Sequence, residues 1–250
     1  MEKVHLDSTD LISKNLVFIP AWNEEKTVSL VILEIKSNFP DFDILVIDDG
    51  STDSTGELAA IAGALVLRLP INVGVGGAIK CAFRFASENS YTSIFQIDAD
   101  GQHNPRYIIQ LQEQLALGAD LVVGTRFGGI GNYSMGRVRK IASQTLRKII
   151  FNLIKVDVSD PTSGLRGFST GAIEALRRDF PTEYLGDTIE CLLLAHHSGL
   201  KIVEIPVEMR PRQGGEPSNG SLKSFGYLIR AIFAIFVSQF RHAVAKRQNS

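Results

Sequence analysis

Four short apolar runs, each closed by a polar cluster, constrain this chain more than any other feature. Leu16 to Pro20 leads into Asn23-Glu24, Phe42 to Ile47 into Asp48-Asp49, Ala64 to Leu69 into Asn72, and Ser93 to Ile97 into Asp98-Ala99-Asp100. Runs apolar on both faces read as strands buried from both sides. Helical segments separate them: Glu24-Glu25 to about Asn38 with Asn23 as its cap, Ser54 to Ala62, and a helix that enters at Asn72 to Gly77 and continues through Phe85. Strands alternating with helices imply a mostly parallel sheet covered by helices, an α/β architecture. Ligands of such sheets bind beyond the carboxyl ends of the strands. Polar groups following four separate strands therefore mark one edge as the candidate site.

The remainder is less regular. Pro105 to Leu117 reads as a helix started by proline, and Ala119 to Gly124 as a further strand. Arg137 to Ile154 is helical and basic, carrying Arg137, Arg139, Lys140, Arg147 and Lys148. Asp160 to Phe168 is a turn entering a strand, Asp187 to His197 a helix, and Lys201 to Val207 a strand. Pro211 to Gly220 is rich in Gly, Pro, Ser and Asn and reads as a loop. The expected division is one domain over residues 1–218 and a C-terminal apolar and basic segment over 219–250.

In that segment Phe225 to Phe240 reads as an apolar helix, which would be ~24 Å long, short of a ~30 Å hydrocarbon core. Its basic flanks, Lys223, Arg241, His242, Lys246 and Arg247, suit a membrane interface or a membrane partner. A helix docked on the protein's own core fits equally. The formal net charge of −1 over 250 residues gives no electrostatic footprint for nucleic acid. Cys81 and Cys191 lack both disulfide-framework and metal-site spacing, and read as buried small hydrophobes in a reducing compartment. The N-terminus has no signal-type apolar core, so the expected location is cytoplasmic.

Two residues carry the first chemical suggestion. Asp98 and Asp100, one residue apart at a strand end, make a hard oxygen site suited to Mg2+ or Mn2+, with part of the coordination shell left for substrate phosphates. A polar strand-end turn is the alternative. Asn72 to Ala78 has the wrong glycine spacing for a dinucleotide fingerprint and reads as a helix start packed closely on the sheet. No Walker-type lysine loop is present, and no Cys-His pair has a spacing that would favour nucleophilic catalysis.

Taken in order, Pro20-Ala21-Trp22-Asn23-Glu24, Asp48-Asp49-Gly50-Ser51-Thr52-Asp53, Asn72-x-Gly-x-Gly and Asp98-Ala99-Asp100-Gly101-Gln102 resemble the signature of family-2 glycosyltransferases with the GT-A fold. Thr125-Arg126, Asp160-Pro161-Thr162-Ser163-Gly164-Leu165-Arg166 and Glu204-Ile205-Pro206-Val207 further resemble the dolichyl- or polyprenyl-phosphate sugar transferase branch. The resemblance implies that Pro20, Trp22 and Glu24 line the base and ribose pocket and that Asp49 hydrogen-bonds the base. Asp98 would sit at the nucleotide, while Asp100 and Gln102 help hold Mg2+ or Mn2+ on the diphosphate. His103 is adjacent, as a further metal ligand or as a structural residue. Arg126 and Arg139 match acceptor-phosphate positions, and Arg166 would complete that cluster. Arg212 and Ser218 partly match a mobile basic loop over the diphosphate, although Pro217 intrudes and no lysine follows Ser218.

The expected reaction is inverting transfer of one sugar from a nucleotide diphosphate sugar to a polyprenyl phosphate at the cytoplasmic membrane face. The expected partners are a membrane surface or a small membrane protein, together with a second copy of the chain. A lipid phosphate is already anionic and needs cations more than a base. Transfer to a saccharide hydroxyl would need one, and Asp187, with Glu190 one turn further on, is the candidate. A non-catalytic nucleotide-sugar binding protein or a nucleotidyltransferase fits less well. The former would be expected to lose one carboxylate of the pair, and the latter to carry a basic Gly-rich loop after the first strand.

Overall fold

The computed structural model describes residues 14–126, 137–179 and 187–210, apart from the side chains of residues 137–143, 146, 179 and 187. Seven strands form one sheet: β1 (Asn15–Ala21), β2 (Asp43–Asp48), β3 (Leu65–Arg68), β4 (Ser93–Gln96), β5 (Leu121–Thr125), β6 (Arg166–Ser169) and β7 (Ile202–Pro206). Their order is β3-β2-β1-β4-β6-β5-β7. Only β6 runs against its neighbours β4 and β5; every other adjacent pair is parallel. Among the described residues the path enters the sheet at β1 in mid-sheet, steps outward through β2 and β3, then returns to place β4 on the other side of β1. That reversal opens a crevice at the carboxyl ends of β1 and β4, where α/β sheets bind ligands. All four polar clusters therefore share one edge, as the strand pattern implied.

Helices α1 (Val28–Asn38), α2 (Thr55–Ile61), α3 (Val75–Glu88), α4 (Ile108–Ala116), α5 (Arg137–Ile154), α6 (Thr170–Asp179) and α7 (Asp187–His197) accompany the sheet. Side chains alternate along β1: Leu16 and Phe18 pack with Ala78, Ala82 and Phe83 of α3, whereas Val17 and Ile19 pack with Val28, Ile32 and Ile35 of α1. Burying each such side chain contributes roughly 1.5–3 kcal/mol. The ring of Phe83 meets Phe18 and Phe168 edge-on at 6.2 and 4.8 Å, joining β1, α3 and β6 across one face. Gly76, Gly77, Ala78, Ala82 and Ala86 form the buried stripe of α3, which lets that helix lie close to the sheet.

The structure departs from the sequence reading at three places. Helix α1 begins at Val28, not at Glu24-Glu25, and Asn23 does not cap it. Asn23 instead takes a left-handed backbone (φ 55°), and its Oδ1 accepts the Thr52 N–H at 2.9 Å. Pro105 opens a short 3-10 turn, capped by Asn104, before α4 starts at Ile108. Helix α6 was not anticipated; Ala172, Ile173 and Leu176 are its buried face, the signal that sequence reading passed over. The helix expected over Phe225 to Phe240 and the division at residue 218 lie outside the described residues.

Candidate active site

On the β2 side, the loops after β1 and β2 are sewn together. Ser51 Oγ accepts the Asn23 N–H at 3.0 Å, Thr55 Oγ1 the Glu24 N–H at 2.8 Å, and Asp53 Oδ2 the Glu25 N–H at 3.3 Å. These three amides, which a helix starting here would leave without intrahelical acceptors, are satisfied from the loop after β2, and residues 24–27 form a polar shelf that turns into α1, the Val28 N–H meeting the Glu24 carbonyl at 3.0 Å. Trp22 stands on the shelf with 54% of its surface exposed, and Glu24 and Pro20 are half-buried beside it. Asp49 is buried. Its Oδ1 accepts the Val73 N–H at 2.8 Å and its Oδ2 the Gly74 N–H at 2.9 Å. Gly74 (φ 87°) is the N-cap of α3, so Asp49 fixes where α3 begins. Neighbouring Asp48 is fully buried: Oδ1 accepts the Ser51 N–H at 2.9 Å, and Oδ2 lies 3.4 Å from Arg68 Nε. Burial first, then the charge of Asp49, raises the Cys81 thiol above its ordinary range, which keeps it protonated and unreactive.

On the β4 side, Asp98 and Asp100 project from the strand end. The Asp98 side chain is 41% exposed, and Asp100 Oδ1 accepts the Gln102 N–H at 3.0 Å, closing a tight turn. The turn is held from two directions. Buried His103 presents Nδ1 to the Asp98 N–H at 3.4 Å and to Asp98 Oδ2 at 3.7 Å. The Gln102 carbonyl accepts the Arg210 N–H at 2.9 Å, and Arg210 in turn clasps Glu34 of α1 through two bonds of 2.8 Å. No group of three or more His, Cys, Asp or Glu side chains that could hold a metal occurs among the described residues. Two carboxylates at an open strand end fit a cation that completes its shell with substrate phosphates, as Mg2+ commonly does, and do not fit a closed all-protein cage.

The third group gathers at the end of β5. Arg126 meets buried Asp160 edge-on: Nε reaches Oδ2 at 2.5 Å and Nη2 reaches Oδ1 at 2.7 Å. Thr162 Oγ1 accepts a further bond from Nη2 at 3.0 Å. Below, Glu204 Oε1 on β7 accepts from the Ser159 N–H, the Ser159 hydroxyl and the Asp160 N–H at 2.8, 3.0 and 3.0 Å. Arg166 corrects the sequence reading. It is 1% exposed and faces no solvent where a phosphate would arrive. Its Nε, Nη2 and Nη1 donate to the carbonyls of Ser163, Pro161 and Thr188 at 2.9, 2.9 and 3.1 Å. A buried guanidinium must have its donors satisfied, and here backbone carbonyls do so. The Arg139 and Asp187 side chains lie outside the described residues, as do Arg212 and Ser218; Asp187 supplies the first residue of α7. Glu190 is buried one turn on.

Residues 16–177 match glycosyl transferase family 2. The chain belongs to this family. Among curated relatives, this family-2 glycosyltransferase is 29% identical to the polyprenol monophosphomannose synthase of Mycolicibacterium smegmatis, over 81% of this chain and 79% of that protein. It is 30% identical to the undecaprenyl-phosphate mannosyltransferase of Micrococcus luteus, over 80% of this chain and 85% of that protein. Among solved structures, glucosyl-3-phosphoglycerate synthase from Mycobacterium tuberculosis in complex with Mg2+ and uridine diphosphate superposes with a TM-score of 0.68 at 25% identity, covering 90% of this chain and 79% of that one.

Two side chains organise the candidate site without having been assigned a role from sequence: Asp160 and Glu204. Each lies inside a motif that the sequence reading quoted, but hydrogen-bond partners within a turn leave no spacing signature. The same holds for Ser51 and Thr55, whose hydroxyls satisfy the shelf. Among the described residues, no helix is long and apolar enough to cross a membrane.

Proposed function

We propose that this glycosyltransferase transfers a single sugar, with inversion, from a nucleoside diphosphate sugar to a polyprenyl phosphate, assisted by Mg2+ or Mn2+ and acting at the cytoplasmic face of a membrane. The observation that carries the reading is the pairing of two features on one sheet edge: an open carboxylate pair after β4, and the guanidinium of Arg126 after β5. Similarity to two enzymes named for polyprenyl phosphate acceptors supports the lipid. In this reading Trp22 stacks on the base, and Pro20, Glu24 and Asp49 complete the base and ribose pocket. Asp49 retains lone pairs for this, because each carboxylate oxygen accepts more than one bond.

Asp98, Asp100 and Gln102 would hold the cation, which when bound neutralises the charge left on the departing diphosphate. Arg126 and Arg139 orient the lipid phosphate so that one of its oxygens faces the anomeric carbon; guanidinium groups match phosphate geometry well. That oxygen forms the new bond to carbon while the carbon–oxygen bond to the nucleoside diphosphate breaks, the electron pair leaving with the diphosphate. A phosphate anion attacks without losing a proton, so Asp187 shapes the sugar pocket rather than serving as a base. Arg212 closes over the diphosphate, and residues 219–250 meet the membrane or a membrane partner.

The test incubates the protein with membranes, Mg2+ or Mn2+, and labelled nucleotide sugars. Label in the organic extract supports the proposal, and label only in water-soluble glycan refutes it. In the same assay Asp187→Asn should keep near-normal transfer to lipid phosphate.

A further inference from the structure

Arg166 is too buried to touch a substrate, yet it sits under a turn that reaches both halves of the site. At one end, Asp160 grips Arg126 through its main-chain N–H, Nε and Nη2. At the other end, Gly164 lies directly against Asp98. A Cβ placed on Gly164 would fall on both Asp98 carboxylate oxygens. Gly164 has no left-handed backbone to explain its identity, so space for Asp98 is the constraint. Between these ends the turn is fixed from inside. Arg166 binds the carbonyls of Pro161 and Ser163 and ties them to Thr188 at the start of α7. The Ser163 N–H closes onto the Asp160 carbonyl at 3.2 Å, and the Ser163 hydroxyl accepts the Leu165 N–H at 3.3 Å. Glu204 pins the preceding Ser159-Asp160 step to β7.

We propose that the turn from Asp160 to Arg166 is a positioning element shared by the two phosphate-handling halves of the site. Gly164 sets the Asp98 carboxylate on the donor side, Asp160 sets the Arg126 guanidinium on the acceptor side, and Arg166 holds the two at a fixed separation. The inference rests on reading Asp98 as a donor-side group and Arg126 as an acceptor-side group. It assigns Asp160, Gly164 and Arg166 as positioning residues, none of which touches the reacting atoms. The functional sense is geometric. Attack requires the acceptor phosphate and the anomeric carbon to approach along one line, and displacement of about 1 Å in such an arrangement costs on the order of a hundredfold in rate.

The test uses the full chain and two substitutions with opposite expected signatures. Gly164→Ala should fold and melt close to the wild type, because the atoms it meets are the free end of a side chain that can swing away. Its crystal structure should show the Asp98 carboxylate displaced, and tryptophan quenching should show weaker binding of UDP or GDP with Mn2+, since Trp22 is the single tryptophan and stands on the shelf. The KM for the donor should rise while the KM for polyprenyl phosphate stays unchanged. Asp160→Asn should do the reverse, raising the acceptor KM alone, with partial rescue by Asp160→Glu. Asp98 unmoved in the Gly164→Ala crystal overturns the inference, as does Asp160→Asn raising both KM values together. If the wild-type protein does not glycosylate lipid phosphate, the function proposed above fails; the crystallographic position of Asp98 still decides the role of Gly164.

Discussion

Asp49→Asn separates two roles that coincide in one carboxylate. In the structure both Asp49 oxygens are engaged by the main chain of the loop that starts α3, at 2.8 and 2.9 Å from the amides of Val73 and Gly74. Hydrogen bonds to a charged acceptor contribute about 1.5–3 kcal/mol each. Asparagine keeps one oxygen but loses the charge, and turns an NH2 toward an amide that also donates. One bond weakens, the other is lost, and a partly buried N–H loses its acceptor at a cost of about 1–3 kcal/mol. The expected destabilisation is about 3 kcal/mol. At ~2–4 °C per kcal/mol for a chain of this size, the melting temperature should fall by about 6–12 °C. The assay is calorimetry or urea unfolding of the protein without nucleotide. The donor KM should rise as well, because the loop that Asp49 anchors lies at the same sheet edge. A variant with wild-type melting and a raised donor KM would refute the anchoring argument and leave Asp49 as a contact to the base alone.

Three further outcomes are expected. Asp100→Ala should abolish Mg2+- or Mn2+-dependent turnover while leaving the circular dichroism spectrum unchanged; unimpaired turnover would remove Asp100 from the cation site. Gly50→Ala should be strongly destabilising, since φ is +68° and the added Cβ would lie 2.6 Å from the Ile71 carbonyl carbon. The left-handed backbone alone costs about 1–2 kcal/mol, so an unchanged urea midpoint would refute the strain. Burial tends to raise the Asp53 carboxyl, but bonds from the Thr55 hydroxyl and from the Thr55 and Glu25 amides outweigh it and hold the group below the usual carboxylate range. With the folded value depressed, its stabilisation is fully present above the unfolded value of about 3.9. It is lost as pH falls through the lower folded value. Urea midpoints followed into acid should therefore fall less steeply in Asp53→Asn than in the wild type; identical acid slopes would show that Asp53 does not couple the shelf to pH.

The fold was legible because its strands announce themselves twice, once as apolar runs and once as polar clusters where each run ends. Parallel strands such as β1 and β2, buried on both faces, leave no solvent side to blur that pattern, whereas β3 at the sheet edge is partly exposed. Helix starts were less legible for a specific reason. Asn23 before Glu24-Glu25 looks like a cap in isolation, yet Asp53 from another loop takes the Glu25 amide that such a cap would serve, and Asn23 Oδ1 is engaged by the Thr52 N–H, so tertiary bonds displaced a local preference. Nothing within eight residues of Asn23 signals that outcome.

Arg126 and Arg166 carry the same lesson into the site. As letters they are equivalent, two cations close to turns at strand ends, and both suggest phosphate. They differ in what the fold leaves unsatisfied around them. A turn as tight as Pro161 to Gly164 points carbonyls inward, where neither strand partner nor water meets them, and a guanidinium with five donors is the side chain best able to satisfy several at once. Arg166 occupies that place and is fixed there by burial. Arg126 lies at the rim with its side chain 21% exposed, and its partner Asp160 is the buried member of the pair. A buried carboxylate that organises a rim arginine aims the cation outward without drawing it into the core. Which arginine is left at the rim is thus decided by the carbonyls of a turn, and these are supplied by backbone geometry that the identity of either arginine does not reveal.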